Sequence, residues 1–316
     1  MRVLMVAPYP AAEGMQVGGV EAVVTALAPA LAQCSEIEHL CVISYYRDGR
    51  QSSRVTNGRL TVLQLPAQKR WAAPTFLCMD WLRTWYLSRT FRSELVHAQG
   101  LDACGFVAVH LGLPSVVTVH GVTPVEVRLC GQRGILRRGQ IQLADWRVAS
   151  VLRRADAVIS ISSYDMRVIG SQTRGQLVRI PNPVDSCFYA DALTSGEGLL
   201  FAGVLTERKN LLGLLRAFRR VADRLSEAKL TIVGPDGSVA YGTMVRKFAR
   251  TLGVESRVRF LGHVARPVLV AELMKCAAVV LFSEEETSPT IIAQAMAAGK
   301  PVVASAVGGV GELVID

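Results

Sequence analysis

Short apolar runs alternate with segments of helical length along the whole chain, and the pattern restarts once. In the first half the runs are Arg2 to Ala7, Leu40 to Ser44, Leu60 to Leu65, Leu95 to Ala98, Ser115 to Val119, Ala157 to Ser160 and Leu177 to Ile180. A Gly-containing loop after Pro8 leads from the first run into a helical pattern over Val20 to Ala32. Strand, loop and helix, repeated in that order, predict a mostly parallel sheet covered by helices. At Pro181-Asn182-Pro183-Val184-Asp185 two prolines bracket an Asn, and Asp191 to Gly198 is small and polar, which places a domain boundary near residue 185. Beyond it come strand-like runs at Leu199 to Ala202, Lys229 to Val233, Val258 to Leu261, Ala278 to Phe282 and Pro301 to Ala304. Between them lie helical patterns from about Leu211 to Leu225, Gly242 to Leu252, Val268 to Cys276 and Pro289 to Ala298. The expected architecture is α/β, with two Rossmann-like doubly wound domains, 1–185 and 186–316, facing a cleft beyond the carboxyl ends of their strands.

Composition agrees with two folded domains. Half of the 316 residues are hydrophobic, ample for two cores at about 150 residues per domain. No apolar stretch reaches the roughly 18 residues of a membrane span. The first ten residues, broken by Pro8 and Pro10, make too short a run for a secretory signal, so a cytoplasmic location is expected. The seven cysteines show no C-x-x-C spacing and the five histidines no ligand spacing, so reduced thiols and no metal are expected.

Charge is uneven. Residues 1–185 hold 20 Lys/Arg against 13 Asp/Glu, and residues 186–316 hold 15 against 13, so the net +9 divides into +7 and +2. A basic first half suits an acidic partner or is a solvated Arg-rich face. Its basic-aromatic tracts, Gln68 to Arg92 and Arg128 to Arg154, read either as peripheral contacts with an anionic inner membrane surface or as amphipathic helices packed on the sheet, the latter being favoured.

The most informative segment runs from Leu281 to Ser305. A strand ends in the acidic loop Glu284-Glu285-Glu286, and a helix begins near Pro289, so the backbone N–H groups of Thr290 and Ile291 would form an anion site with the helix dipole. Glu286, just before that helix, could accept hydrogen bonds from sugar hydroxyls and is expected on a polar cleft, with its loss leaving the fold intact. The acidic triplet also reads as a solvated first turn that complements the dipole. Gly18-Gly19 follows the first strand, where glycines let backbone approach a phosphate closely. His120 ends the Ser115 to Val119 strand, and Arg208-Lys209 opens the second domain.

These motifs resemble the signature of the retaining glycosyltransferases of family four, which have the two-domain GT-B fold. Glu286 matches the first Glu of the family's Glu, seven residues, Glu pattern, and Gln294 stands at the second. Ala295-Met-Ala-Ala-Gly-Lys-Pro-Val-Val-Ala-Ser305 and Gly308-Gly309-Val-Gly-Glu312 continue the pattern. The resemblance implies that Glu286 and His120 contact the transferred sugar, that Gln294 holds the nucleotide ribose, and that Gly18, Gly19 and Lys209 meet the diphosphate. The family's Arg five residues before the Lys is Val204 here, so Arg208 would supply the second cation. Gly234 and His263 end strands where the family holds the nucleotide base. Family members continue past Glu312 with further strand and helix, which implies that the second domain is incomplete at Asp316.

The implied reaction moves a sugar from a nucleotide-sugar donor to a glycan, lipid or small-molecule acceptor with retention of configuration. The departing diphosphate would be stabilised by Lys209, Arg208 and the helix N-terminus, with neither metal nor cofactor. No nucleic acid partner is expected. Two alternatives stand beside it: a nucleotide-sugar epimerase of the same architecture, which would convert donor without an acceptor, and a non-catalytic sugar or nucleic-acid binding protein, which would show salt-dependent duplex binding.

Overall fold

A computed structural model describes residues 1–10, 12, 14–46, 52–66, 73–121, 135–189 and 196–314, the side chains of 73–78, 135–138 and 140 excepted. The chain divides into two compact units. Within the described residues, one is built from Met1–Ala11, Val23–Arg128 and Gln132–Pro183, and the other chiefly from Ala12–Ala22 and Val184–Asp316.

In the first unit the strands are β1 (Arg2–Val6), β2 (His39–Tyr46), β3 (Ser53–Asn57), β4 (Leu60–Pro66), β5 (Leu95–Gln99), β6 (Ser115–Val119), β7 (Ala157–Ser160) and β8 (Gln176–Arg179). They form one sheet in the order β3-β4-β2-β1-β5-β6-β7-β8. All pairings are parallel except β3 with β4. Its core joins Leu4, Val6, Ile43, Val96, Val117 and Val158 from the strands to Val107, Val151 and Leu152 from the helices. The helices of this unit are α1 (Gly19–Gln33), whose residues up to Ala22 are grouped with the other unit, α2 (Ala73–Thr90), α3 (Ala103–Ala108), α4 (Ile135–Arg154) and α5 (Ser163–Ile169).

Strand β3 is absent from the expected elements. Its residues Ser53-Arg-Val-Thr-Asn57 are exposed throughout, so no apolar run marks it. Its pairing is set by the tight turn at Asn57-Gly58, where Gly58 takes a φ of 56°. The basic-aromatic tracts become α2 and α4, with Trp71 and Arg133 outside the described residues. One side of each packs inward, through Trp81 and Leu87 on α2 and Val148, Val151 and Leu152 on α4. Leu82, Trp85, Tyr86, Leu143 and Trp146 remain exposed.

The second unit holds β9 (Leu199–Ala202), β10 (Leu230–Val233), β11 (Val258–Gly262), β12 (Ala278–Leu281) and β13 (Val302–Ala304), with α6 (Leu211–Arg224), α7 (Val239–Thr251), α8 (Arg266–Lys275) and α9 (Thr290–Ala297). The sheet order is β11-β10-β9-β12-β13, all parallel. Helix α6 turns Leu211, Leu214, Leu215 and Phe218 onto Phe201 and Ile232. That spacing is the apolar stripe of a surface helix. Its polar start is fixed by Asn210, which adopts the left-handed conformation and accepts a hydrogen bond from the Gly213 N–H at 3.0 Å.

In both sheets the strand order reverses beside the first strand of the unit, between β1 and β5 and between β9 and β12. In open parallel sheets, ligands gather beyond the carboxyl ends of the strands at such reversals.

Candidate functional site

At the reversal in the second sheet, the loop after β9 and the loop after β12 bring four charged side chains together, Arg208, Lys209, Glu285 and Glu286. The 3-10 turn Glu207–Lys209 carries Arg208 and Lys209. Lys209 Nζ forms an ion pair with Glu286 Oε1, and Ser283 Oγ donates to the same oxygen at 2.6 Å. Arg208 Nη1 lies 3.2 Å from Glu286 Oε2 and donates to the Glu285 carbonyl at 2.8 Å. The Glu284 N–H donates to the Arg208 carbonyl at 2.8 Å, which ties the two loops together through backbone as well.

Glu286 is 4% exposed, so the expected position on a polar cleft with no structural role is corrected: the carboxylate is buried and paired. Burial pushes its pKa up, but Lys209 and Arg208 outweigh that and hold it below the usual carboxylate value. Burial lowers the pKa of Lys209, against the opposing pull of Glu286. A buried carboxylate and ammonium of this kind are each tolerated because the other is present.

Two glycines shape this site. A Cβ at Gly308, where φ is 55°, would lie 1.9 Å from the Glu286 carbonyl oxygen, and the Gly309 N–H donates to that oxygen at 2.9 Å. The Gly308-Gly309 turn thus holds the Glu286 backbone by an approach that only glycine permits. A Cβ at Gly234, where φ is 137°, would lie 2.0 Å from the Gly203 carbonyl oxygen, so the ends of β9 and β10 also close together without side chains.

Helix α9 begins one residue later than expected. Pro289 is the half-in residue, with an extended ψ of 116°, and Thr290 is the first helical residue. Ile291 turns its side chain into the core, so only its backbone can face a ligand. Gln294 is buried on the same helix. His263 follows β11, and its Nε2 lies 2.9 Å from the Gln16 carbonyl oxygen. In the same segment Gly18 takes a φ of 97° ahead of α1, and Glu21 accepts from the Val17 N–H at 2.6 Å. A Cβ built on Gly19 would sit 3.4 Å from Thr290 Oγ1.

His120 belongs to a separate arrangement in the first unit. Its Nε2 lies 2.6 Å from Gln99 Oε1, Gln99 Nε2 lies 3.1 Å from His97 Nε2, and that nitrogen lies 2.8 Å from Thr118 Oγ1. Gln99 and His97 are absent from the residues singled out by sequence. The available signal was a period-two pair of polar residues on each of two apolar strands, 97 and 99 on one and 118 and 120 at the end of the other. Among the described residues no group of three or more His, Cys, Asp or Glu side chains could hold a metal ion, and no helix is long and apolar enough to cross a membrane.

The fold is that of the GT-B glycosyltransferases. The chain superposes on sucrose-phosphate synthase from Thermosynechococcus elongatus with a TM-score of 0.82 at 20% identity, covering 99% of this chain and 83% of that one. It superposes on Anabaena Alr3699/HepE in complex with UDP-glucose with a TM-score of 0.72 at 19% identity, covering 100% and 83%. Residues 17–187 match the family described as Glycosyltransferase Family 4, and residues 196–316 match Glycosyl transferases group 1. The chain belongs to glycosyltransferase family 4. It is 36% identical over 116 residues to an uncharacterized glycosyltransferase, MJ1607, of Methanocaldococcus jannaschii, covering 37% of this chain and 29% of that protein. It is 28% identical over 238 residues to a glycogen synthase of Mycobacterium tuberculosis, covering 72% and 56%. The chain thus spans about half or less of the length of these curated relatives.

Proposed function

We propose that the protein transfers a sugar from a nucleotide-sugar donor to a glycan, lipid or small-molecule acceptor with retention of anomeric configuration and without a metal. The observation that carries this reading is the cluster of Arg208, Lys209 and Glu286 at the strand-order reversal of the second sheet, in a chain of this family. Residues 186–316 take the donor. Lys209 has three N–H donors, more than Glu286 uses, so it can also bind the oxygens of a diphosphate, and the Arg208 guanidinium beside it adds positive charge. The α9 N-terminus, with the N–H groups of Thr290 and Ile291, adds a partial positive charge. Together they stabilise the leaving diphosphate, the role that a divalent cation would otherwise fill.

The remaining roles follow the family resemblance. Glu286 and His120 are assigned to the transferred sugar, Gln294 to the ribose, Gly18 and Gly19 to the diphosphate, and Gly234 and His263 to the base. Support for a nucleotide-sugar donor comes from the Anabaena relative in complex with UDP-glucose. Residues 1–185 take the acceptor. A cytoplasmic location with peripheral contact to an anionic membrane surface suits the exposed Leu82, Trp85, Tyr86 and Trp146, with Arg89 lying 5.6 Å over the Trp85 ring.

The test is incubation of the full chain with a panel of nucleotide-sugars and of glycan and lipid acceptors, with and without chelator. The product anomer is read by NMR. Transfer with retention that persists in chelator supports the reading. Inverted product, or activity restored only by magnesium or manganese, overturns the corresponding part. Donor conversion without acceptor points to epimerisation.

A further inference from the structure

His97, Gln99, Thr118 and His120 form a hydrogen-bonded run in the first unit that the charged cluster does not involve. Parallel strands β5 and β6 are in register with Gln99 beside Thr118. Side chains two apart on a strand share a face, which lines up 97 with 99 and 118 with 120. His97 and Gln99 are 8% and 2% exposed, so water does not compete for these bonds.

We infer that Gln99 is a positioning residue that fixes the tautomer of His120, with His97, itself hydrogen-bonded to Thr118, holding the Gln99 carboxamide in place. A carboxamide offers an acceptor at one end and a donor at the other. Its oxygen lies 2.6 Å from His120 Nε2, so that nitrogen carries the proton and donates. Its nitrogen lies 3.1 Å from His97 Nε2, so that nitrogen is bare and accepts; the Thr118 hydroxyl, 2.8 Å away, shares the same lone pair. The two rings therefore hold opposite tautomers. Turning the amide over would reverse both together, so neither ring changes alone.

Burial lowers the pKa of both rings to about 4, with His97 adding to the effect on His120. Both are neutral at pH 7, and the network controls proton position, not charge. His120 then presents Nδ1 as a bare acceptor, which can orient a hydroxyl of the transferred sugar but cannot donate to it. That last consequence rests on the proposed transferase reading; the tautomer itself does not.

The test is long-range proton–nitrogen NMR of the full chain labelled with ¹⁵N-histidine, with the two rings identified from His97→Gln and His120→Gln. The expected spectrum shows single tautomers, with His120 protonated at Nε2 and His97 at Nδ1. Gln99→Leu should convert His120 to a tautomer mixture and lower kcat about tenfold or more, with donor KM changed by no more than about twofold, as expected for an interaction realised in the transition state. Gln99→Glu, which keeps an acceptor towards His120, should restore most of kcat. Averaged tautomers in the parent protein, or an unchanged His120 pattern in Gln99→Leu, overturn the inference whether or not sugar is transferred. A tautomer mixture with unchanged kcat overturns the role in transfer. The expected tautomers in a chain that transfers no sugar support the tautomer inference and overturn the proposed function, which separates the two failures.

Discussion

Beyond β9 and β12, Arg208, Lys209 and Glu286 bury opposite charges against one another, whereas along β5 and just after β6 His97, Gln99 and His120 hold groups that stay neutral. Both clusters sit near carboxyl ends of parallel strands, and both must offset the loss of water. The charged one does so by pairing, and the Lys209 ammonium keeps N–H groups beyond its Glu286 contact that an anionic ligand can take. The neutral one does so by matching donors to acceptors, which fixes direction but gives little response to charge. The contrast suits the proposed chemistry: one region has to absorb the charge of a leaving diphosphate, and the other only has to orient hydroxyls.

The comparison breaks most visibly at Glu286. Glu286→Ala removes the main acceptor of the buried Lys209, so it should abolish transfer and also cost roughly 3–5 kcal/mol of stability, read from denaturant melts. Glu286→Leu with Lys209→Met removes both charges and should recover most of that stability with no activity. If Glu286→Ala melts as the parent does, the ion pair carries no structural weight.

Acid should separate the two regions next. For His97 the folded value of about 4 lies below the ordinary value of about 6.5, so between these values the unfolded chain binds more protons. Stability should therefore be level above pH 6.5 and fall as pH drops towards 4, by on the order of 3 kcal/mol for this ring. Glu286, held low, contributes fully above its unfolded value of about 4.5 and loses that contribution as pH falls further, through its folded value. Denaturant melts from pH 7 to pH 3 should show the histidine stage first, and His97→Gln should make it shallower, the remaining slope coming from His120, which is also lowered to about 4. A slope between pH 6.5 and 4 that is unchanged in His97→Gln contradicts the neutral-cluster account.

Smaller effects sharpen the charged side. Gly308→Ala forces a Cβ against the Glu286 carbonyl at positive φ and should cost about 1–3 kcal/mol, with activity falling as Glu286 shifts. Equal stability and activity would show that the turn is not what holds Glu286. Gln294→Leu should weaken nucleotide binding about tenfold, or roughly 1.4 kcal/mol, by calorimetry. Undiminished binding would remove Gln294 from the ribose site.

Much of this was legible in the sequence, for physical reasons that differ by residue. The parallel strands announced themselves as apolar runs because both faces are covered. Glu286 and Lys209, which pair in the structure, were legible through a motif, and Arg208 through its neighbour. What stayed hidden was pairing across distance: nothing local in Glu286 says that it is buried against a turn 77 residues earlier. The Gln99 network was hidden for the same reason, since its bonds cross between strands 21 residues apart. Strand β3 escaped because an exposed edge has no apolar periodicity, although Asn57-Gly58 was a turn signal.

Donor binding through the diphosphate at the charged cluster is the proposal on which the rest depends, and calorimetric titration of the full chain with UDP, ADP and GDP tests it. At least one of them should bind the parent protein, and Lys209→Met, at a temperature where it remains folded, should lose about tenfold or more of that affinity. Equal affinity in Lys209→Met, or no binding of any nucleoside diphosphate to the parent, would contradict it.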